Sequence, residues 1–199
     1  MVVYILKGGD MFADLVKKNR SYRRFHEDVA IDEATLKELV DLTRYCPSAA
    51  NLQPLKYSLS FEPEKNAVIF AHLAWAGYLK DWDGPAEGER PTAYIIVLGD
   101  TTVAKSFGCD HGITCQTILL GAAEKGFGGC MIGSVKRKEL RQALAIPGHL
   151  EILLTIALGK PKEVVEIETV GPGGDIKYWR DRKGVHHVPK RSMEAILVS

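Results

Sequence analysis

Two short stretches gather side chains suited to holding an anion together with a flat, hydrogen-bonding edge. Asn19-Arg20-Ser21-Tyr22-Arg23-Arg24-Phe25 supplies guanidinium groups and a hydroxyl. A guanidinium donates two parallel hydrogen bonds to a phosphate, and the hydroxyl fills a third position. Pro47-Ser48-Ala49-Ala50-Asn51-Leu52-Gln53-Pro54 is a turn-forming loop whose small residues keep its backbone close to whatever it touches. Asn51 and Gln53 each add an amide that both donates and accepts. Each stretch also has a purely structural reading: a solvated basic helix end that complements the macrodipole, and an Asx-type turn that closes a helix.

A third candidate is Gly126-Phe127-Gly128-Gly129-Cys130-Met131-Ile132-Gly133. Its glycines either permit close backbone approach to a planar ligand or stop a helix before a core strand. The stretch lacks Gly-x-Gly-x-x-Gly spacing and follows a helix rather than a strand, which argues against a Rossmann dinucleotide site. Near the C-terminus, Lys190 and Arg191 follow His186-His187-Val188-Pro189. No carboxylate or cysteine cluster stands at ligand spacing beside the histidines, so they are expected to be a solvated pair and no metal site is assigned. Cys46, Cys109, Cys115 and Cys130 form no Cys-x-x-Cys pair, and reduced thiols are expected. Cys130 lacks the paired histidine of a thiol nucleophile. With no Gly-x-Ser-x-Gly, Walker loop or paired-carboxylate pattern either, no side chain is assigned a catalytic role. An enzyme of this kind would carry its reactive atom on a cofactor.

The elements that must position these groups follow from periodicity. Phe12, Leu15 and Val16 predict a helix over Met11 to Lys18 with Asp10 as N-cap, delivering Arg20 and Ser21 at its end. Leu36, Leu39, Val40 and Thr43 predict a second helix from Glu33 to about Tyr45, capped by Asp32 and ended by Pro47. Strands are expected over 55–61, 92–98 and 152–158. Between the first two, 65–82 is expected to be part helical, carrying Trp75, Tyr78 and Trp82 before the Asp83-Gly84-Pro85 turn. Ile113 to Lys125 is small or apolar on every side, as a helix buried in a core or a dimer interface requires. A short helix over 136–144 follows the glycines. Beyond Pro161 the composition turns polar, and residues 162–199 read as an extended, irregular arm. Helices flanking a small sheet make a single α+β domain over residues 1–199.

At 199 residues the chain suits one large domain that buries roughly 70% of its unfolded surface. Its 26 basic and 25 acidic residues leave a net charge of +1, which argues against nucleic acid or a membrane surface as partner. The run Val2 to Leu6 lacks the basic flank and cleavage site of a signal peptide, and no apolar stretch approaches a membrane span. A cytoplasmic location is expected.

In order, these pieces resemble the FMN-dependent nitroreductase family over Phe12 to Ile196. The family's Arg-Ser-x-Arg-x-Phe corresponds to Arg20 to Phe25, its Pro-Ser-x-x-Asn-x-Gln-Pro to Pro47 to Pro54, and its Gly-x-Gly-x-Cys-x-Ile-Gly to the 126–133 stretch. Lys190-Arg191 resembles the basic pair that precedes a final helix. The resemblance implies a nitroreductase-like fold with a central, mainly antiparallel sheet, an intertwined homodimer, and FMN at the subunit interface. By the same resemblance Arg20, Ser21 and Arg23 hold the phosphate, ribityl chain and pyrimidine edge, with Lys190 and Arg191 joining at the phosphate. Pro47, Ser48, Ala49 and Asn51 reach in from the partner subunit, and Met131, Ile132 and Gly133 line the ring system. The implied activity is hydride transfer from NAD(P)H through flavin N5 to an electron-poor acceptor such as a nitroaromatic or quinone, in ping-pong fashion. The alternatives are a non-catalytic flavin-binding or redox-sensing module, and a reductive dehalogenase-like or flavin-destroying relative. Two departures stand out: the aromatic 65–89 segment replaces a longer helical insertion, and Asn19 stands where many members carry another basic residue.

Overall fold

The computed structural model describes residues 11–171 and 173–198. The elements in chain order are α1 (Met11–Lys18), β1 (Phe25–His26), α2 (Glu33–Asp41), β2 (Leu55–Ser60), α3 (Pro63–Phe70), β3 (Ala93–Asp100), α4 (Asp110–Glu124), β4 (Gly128–Ile132), α5 (Arg137–Ala143), β5 (Leu150–Pro161), β6 (Val165–Thr169), β7 (Trp179–Arg180) and β8 (His186–Lys190). The expected cap Asp10 and the run Val2 to Leu6 lie outside the described residues.

An uninterrupted apolar run makes β3 a strand buried on both faces, and all eight of its residues are buried. It pairs antiparallel with β2 on one side and β5 on the other, and β5 also pairs antiparallel with β4 and β1. Strand alternation divides the core in two. Ala93, Ile95 and Val97 pack with Leu36 and Leu39 of α2 and with Ile118 and Ala122 of α4. Tyr94, Ile96 and Leu98 face the opposite way, toward Ile69 of α3 and Leu140 of α5. A register shift between Val97 and Leu98 pairs them with Leu154 and Ile152, leaving Leu153 as the extra residue. That bulge reverses the facing of β5, which is why Ile152 joins one core half and Leu154 packs on the other.

Four expectations need correction. The helix from Glu33 continues past Asp41 as a 3-10 turn over Leu42–Tyr45, where the Thr43 hydroxyl donates to the Val40 carbonyl at 2.7 Å. The segment 65–82 is part helical as expected, at its start within α3, whereas α4 begins before Ile113, at Asp110. Burial around α4 is not complete within this chain, because Gly112 and Gln116 are exposed and Ile113 and Leu120 are half-buried. The expected irregular arm instead contains a second, three-stranded sheet, with β8 parallel to β6 and antiparallel to β7. Residues 191–198 contain no helix or strand, only a turn at 194–196. Among the described residues, no helix is long and apolar enough to cross a membrane.

Glu89 ties the loop before β3 to the segments on either side of β1 and β5. Arg24 Nε donates to its Oε2 at 2.6 Å, and Lys162 Nζ lies 3.2 Å from Oε1. Hydrogen bonding from Arg24, then from Lys162, holds its carboxyl down at about 2. A carboxyl made less basic by folding stabilises the fold above its ordinary value, about 4.3, and that contribution is lost as pH falls through the folded value. The urea midpoint is therefore expected to drop between about pH 4.5 and pH 2, and Glu89→Gln to flatten part of that drop. Superimposable pH profiles for the two proteins would remove Glu89 from the account.

Candidate cofactor site

The Arg20 to Arg23 segment leaves α1 and lies against the glycine strand. Ser21 bridges Gly129, and the Tyr22 N–H donates to the Gly129 carbonyl at 3.1 Å. Gly128 is required at this approach, since a Cβ there would lie 2.5 Å from the Tyr22 ring, and a Cβ at Gly129 would overlap the Ala157 carbonyl oxygen across the β4–β5 pair. This pairing brings two of the three sequence candidates to one place.

A cavity of about 400 Å³ opens there, lined among others by Arg20, Ser21, Arg23, Met131 and Lys190. Arg20 Nη2 donates to the Val16 carbonyl at 2.7 Å, while its Nε is buried without a partner. Among the described residues, none of Arg20, Arg23 and Lys190 forms an ion pair. Unpaired cations gathered around a cavity suit an anion. A second cavity of about 240 Å³ shares Arg23, Met131 and Tyr178 with the first and adds Trp75, Cys130, Ile132 and Gly133. Met131 is 38% exposed at this junction, whereas Ile132 is buried. Burial pushes the Cys130 thiol up to about 12, so it stays protonated and unreactive at neutral pH.

Two other expected groups stand elsewhere. Pro47, Ser48 and Asn51 line a separate cleft of about 200 Å³ with Asp110 and Thr114. Here the Ser48 hydroxyl donates to Asp110 Oδ2 at 2.6 Å, and the Ala49 N–H to Oδ1 at 3.2 Å. Ala50, Asn51 and Gln53 take left-handed φ values of 49°, 55° and 52°, strain that these side-chain anchors hold in place. The structure therefore does not bring this loop to the arginine cavity of its own chain. Arg191 is exposed and does not line the cavity, because β8 ends at Lys190.

The histidine pair is not solvated. His186 is fully buried and lines the larger cavity, and burial together with the neighbouring Arg23, Arg180 and His187 lowers it to about 4. His187 stacks on Trp179 with ring centroids 4.1 Å apart. Glu163, Tyr178 and Arg180 were also missed. The Glu163 carboxylate accepts from the Arg23 backbone N–H and pairs with Arg180 at 2.9 Å, and the Arg23 guanidinium lies 4.9 Å from the Tyr178 ring centroid. A buried glutamate or histidine in a polar tail leaves no periodic signal that could have flagged it. Among the described residues, no group of His, Cys, Asp and Glu could hold a metal ion.

A family model described as "Nitroreductase family" matches residues 16–90 and 104–160. The resemblance expected as far as Ile196 is thus matched only to the end of β5, short of the small sheet. The Bacillus subtilis (strain 168) protein named "Putative NAD(P)H nitroreductase YodC" is 21% identical over 184 residues, covering 74% of this chain and 88% of its own. A nitroreductase family protein from Streptococcus pneumoniae TIGR4 superposes with a TM-score of 0.67 at 19% identity, covering 81% of this chain and 96% of that one. An FMN-dependent nitroreductase from Clostridium difficile R20291 does so with a TM-score of 0.61 at 21% identity, covering 74% and 86%. The α+β sheet described above is the fold these structures share.

Proposed function

Because the chain belongs to the nitroreductase family, we propose that it is an FMN-dependent oxidoreductase passing hydride from NAD(P)H to an electron-poor acceptor such as a nitroaromatic or quinone. The observation that carries this reading is the cavity lined by Arg20, Arg23 and Lys190, none of them ion-paired among the described residues, and by the buried, unpartnered Arg20 Nε. A phosphate with a polar chain and a flat ring would satisfy those donors, so the residues present fit the group.

Bound FMN would supply the atom that accepts and passes on hydride, its N5, for which this chain offers no side-chain substitute. Arg20, Ser21 and Lys190 would hold the phosphate and ribityl oxygens by charge-assisted hydrogen bonds. Arg23, at the junction of the two cavities, would orient the pyrimidine edge and place a positive charge beside it. The end of β4 at Met131 to Gly133 would line the ring system, and the smaller cavity with Trp75 would admit nicotinamide and acceptor in turn.

A homodimer belongs to the same proposal. Met11 and Phe12 on α1 are 63% and 70% exposed, an uncovered apolar face consistent with a second copy. Pro47, Ser48, Ala49 and Asn51 would then reach a partner's cofactor, which accounts for their distance from the cavity of their own chain. The absence of a membrane-length helix among the described residues accords with a cytoplasmic location.

The deciding experiment is a visible spectrum of the purified protein with FMN, followed by NADPH and then NADH without oxygen. Flavin bands that bleach support the proposal; tight flavin without nucleotide oxidation favours a non-catalytic binding module, and no flavin uptake rejects both. Arg20→Ala is expected to weaken FMN by about 10- to 100-fold, the loss of a charge-assisted contact of roughly 1.5–3 kcal/mol, with little change in thermal stability. Unchanged affinity in a fluorescence titration would remove Arg20 from the site.

A further inference from the structure

The small sheet β6–β8 lies beyond the family-matched residues, yet His186 and Lys190 of β8, with Tyr178 just before β7, wall the cavity. His186 Nε2 lies 3.2 Å from Arg23 Nη1. A guanidinium carries only donors, so the imidazole must be the acceptor and Nε2 must hold a lone pair. The proton then sits on Nδ1, which is buried with no partner of its own. Protonation at Nε2 would set two cations against each other in a buried place, and the histidine's displacement to about 4 agrees with a neutral ring.

Arg23 is held from three directions. Glu163 takes its backbone N–H, the Tyr178 ring lies under its guanidinium, and His186 takes one of its terminal N–H groups. Its Nη1 also reaches the Ser21 carbonyl at 3.3 Å. The guanidinium is thereby fixed where the two cavities meet.

We infer that His186 is a positioning residue: as a neutral acceptor it fixes the Arg23 guanidinium toward the flavin edge, making the C-terminal sheet part of the cofactor site. This rests on the FMN reading above. It assigns to the tail a role distinct from phosphate binding, through a side chain that touches Arg23 rather than the reacting atoms.

The test compares His186→Ala, His186→Phe and His186→Gln by FMN titration and by the two-electron midpoint potential of the bound flavin. Losing the acceptor in the Ala and Phe variants is expected to weaken FMN about tenfold. A held cation favours the more negative form of the flavin, so a tenfold preferential loss for that form lowers the midpoint by about 30 mV. His186→Gln places an amide oxygen where Nε2 was and is expected to restore most of both. Phe preserves packing volume, so the comparison stands even where Ala compromises folding. In ligand-free wild-type protein, 15N spectra at pH 7 are expected to show protonated Nδ1 and bare Nε2.

A protonated Nε2 overturns the inference, as does a Gln variant no better than Phe. Wild-type protein that takes up no FMN overturns the functional reading and this inference with it. Normal FMN binding and potential in His186→Phe overturns the inference alone.

Discussion

Gly129→Ala is expected to destabilise the protein by at least about 3 kcal/mol and to abolish measurable FMN uptake where folded protein can be recovered. The added methyl would sit 2.1 Å from the Ala157 carbonyl oxygen and 2.9 Å from Leu158 Cδ2. The first of these is backbone in the facing strand, so no rotamer change relieves it. β4 must move away from β5, and the Ser21 bridge and the Tyr22 hydrogen bond to Gly129 move with it. Both halves of the arginine cavity are thus displaced by one methyl group. Urea unfolding measures the effect, with Gly148→Ala as control, since a Cβ there meets nothing within 4 Å. A Gly129→Ala protein within 1 kcal/mol of wild type would show that the strand pairing is not as described.

Glu163→Ala is expected to cost about 3–5 kcal/mol, the range for breaking a buried ion pair from one side. The Glu163 side chain is fully buried and that of Arg180 is only 15% exposed. Removing the carboxylate strands the Arg180 charge and the Arg23 N–H together. Arg180 lies 4.6 Å from the Trp82 ring centroid, so the small sheet and the aromatic 71–92 segment loosen together. Glu163→Gln keeps an acceptor for the Arg23 N–H and should lose less. Adding Arg180→Leu to Glu163→Ala removes the stranded charge and should recover part of the loss, a coupling that a double-mutant cycle reads directly. Additive effects of the two substitutions would mean that they do not interact.

Much of the fold was legible because its main signals are local. The spacing of Leu36 and Leu39 marked α2, and the unbroken apolar run before Asp100 marked β3 as a central strand. Of the two readings of the glycine stretch, the structure shows the core strand: β4 is buried apart from Met131, and Gly128 leaves room for the Tyr22 ring, while close approach to a planar ligand belongs to the proposal. Length and charge were sufficient to argue against a nucleic-acid surface, but neither could show that the tail folds back as a sheet. Its apolar residues are sparse, and β6 and β8 pair in parallel across a long connection, which leaves no hairpin signal.

By itself, then, the sequence determined which groups have the chemistry to be candidates for an anion site and most of the elements that carry them, since residue type and periodicity act over a few positions. Only the tertiary structure decided how those groups are held. Ser48 meets Asp110 across 62 positions, Arg23 meets Glu163 across 140, and Arg23 meets His186 across 163. Whether a polar side chain is solvated, paired or buried depends on what packs opposite it, and chain topology supplies that partner from far along the sequence. The same histidine that reads as a surface residue in a polar tail becomes, beneath the small sheet, a buried neutral acceptor against an arginine.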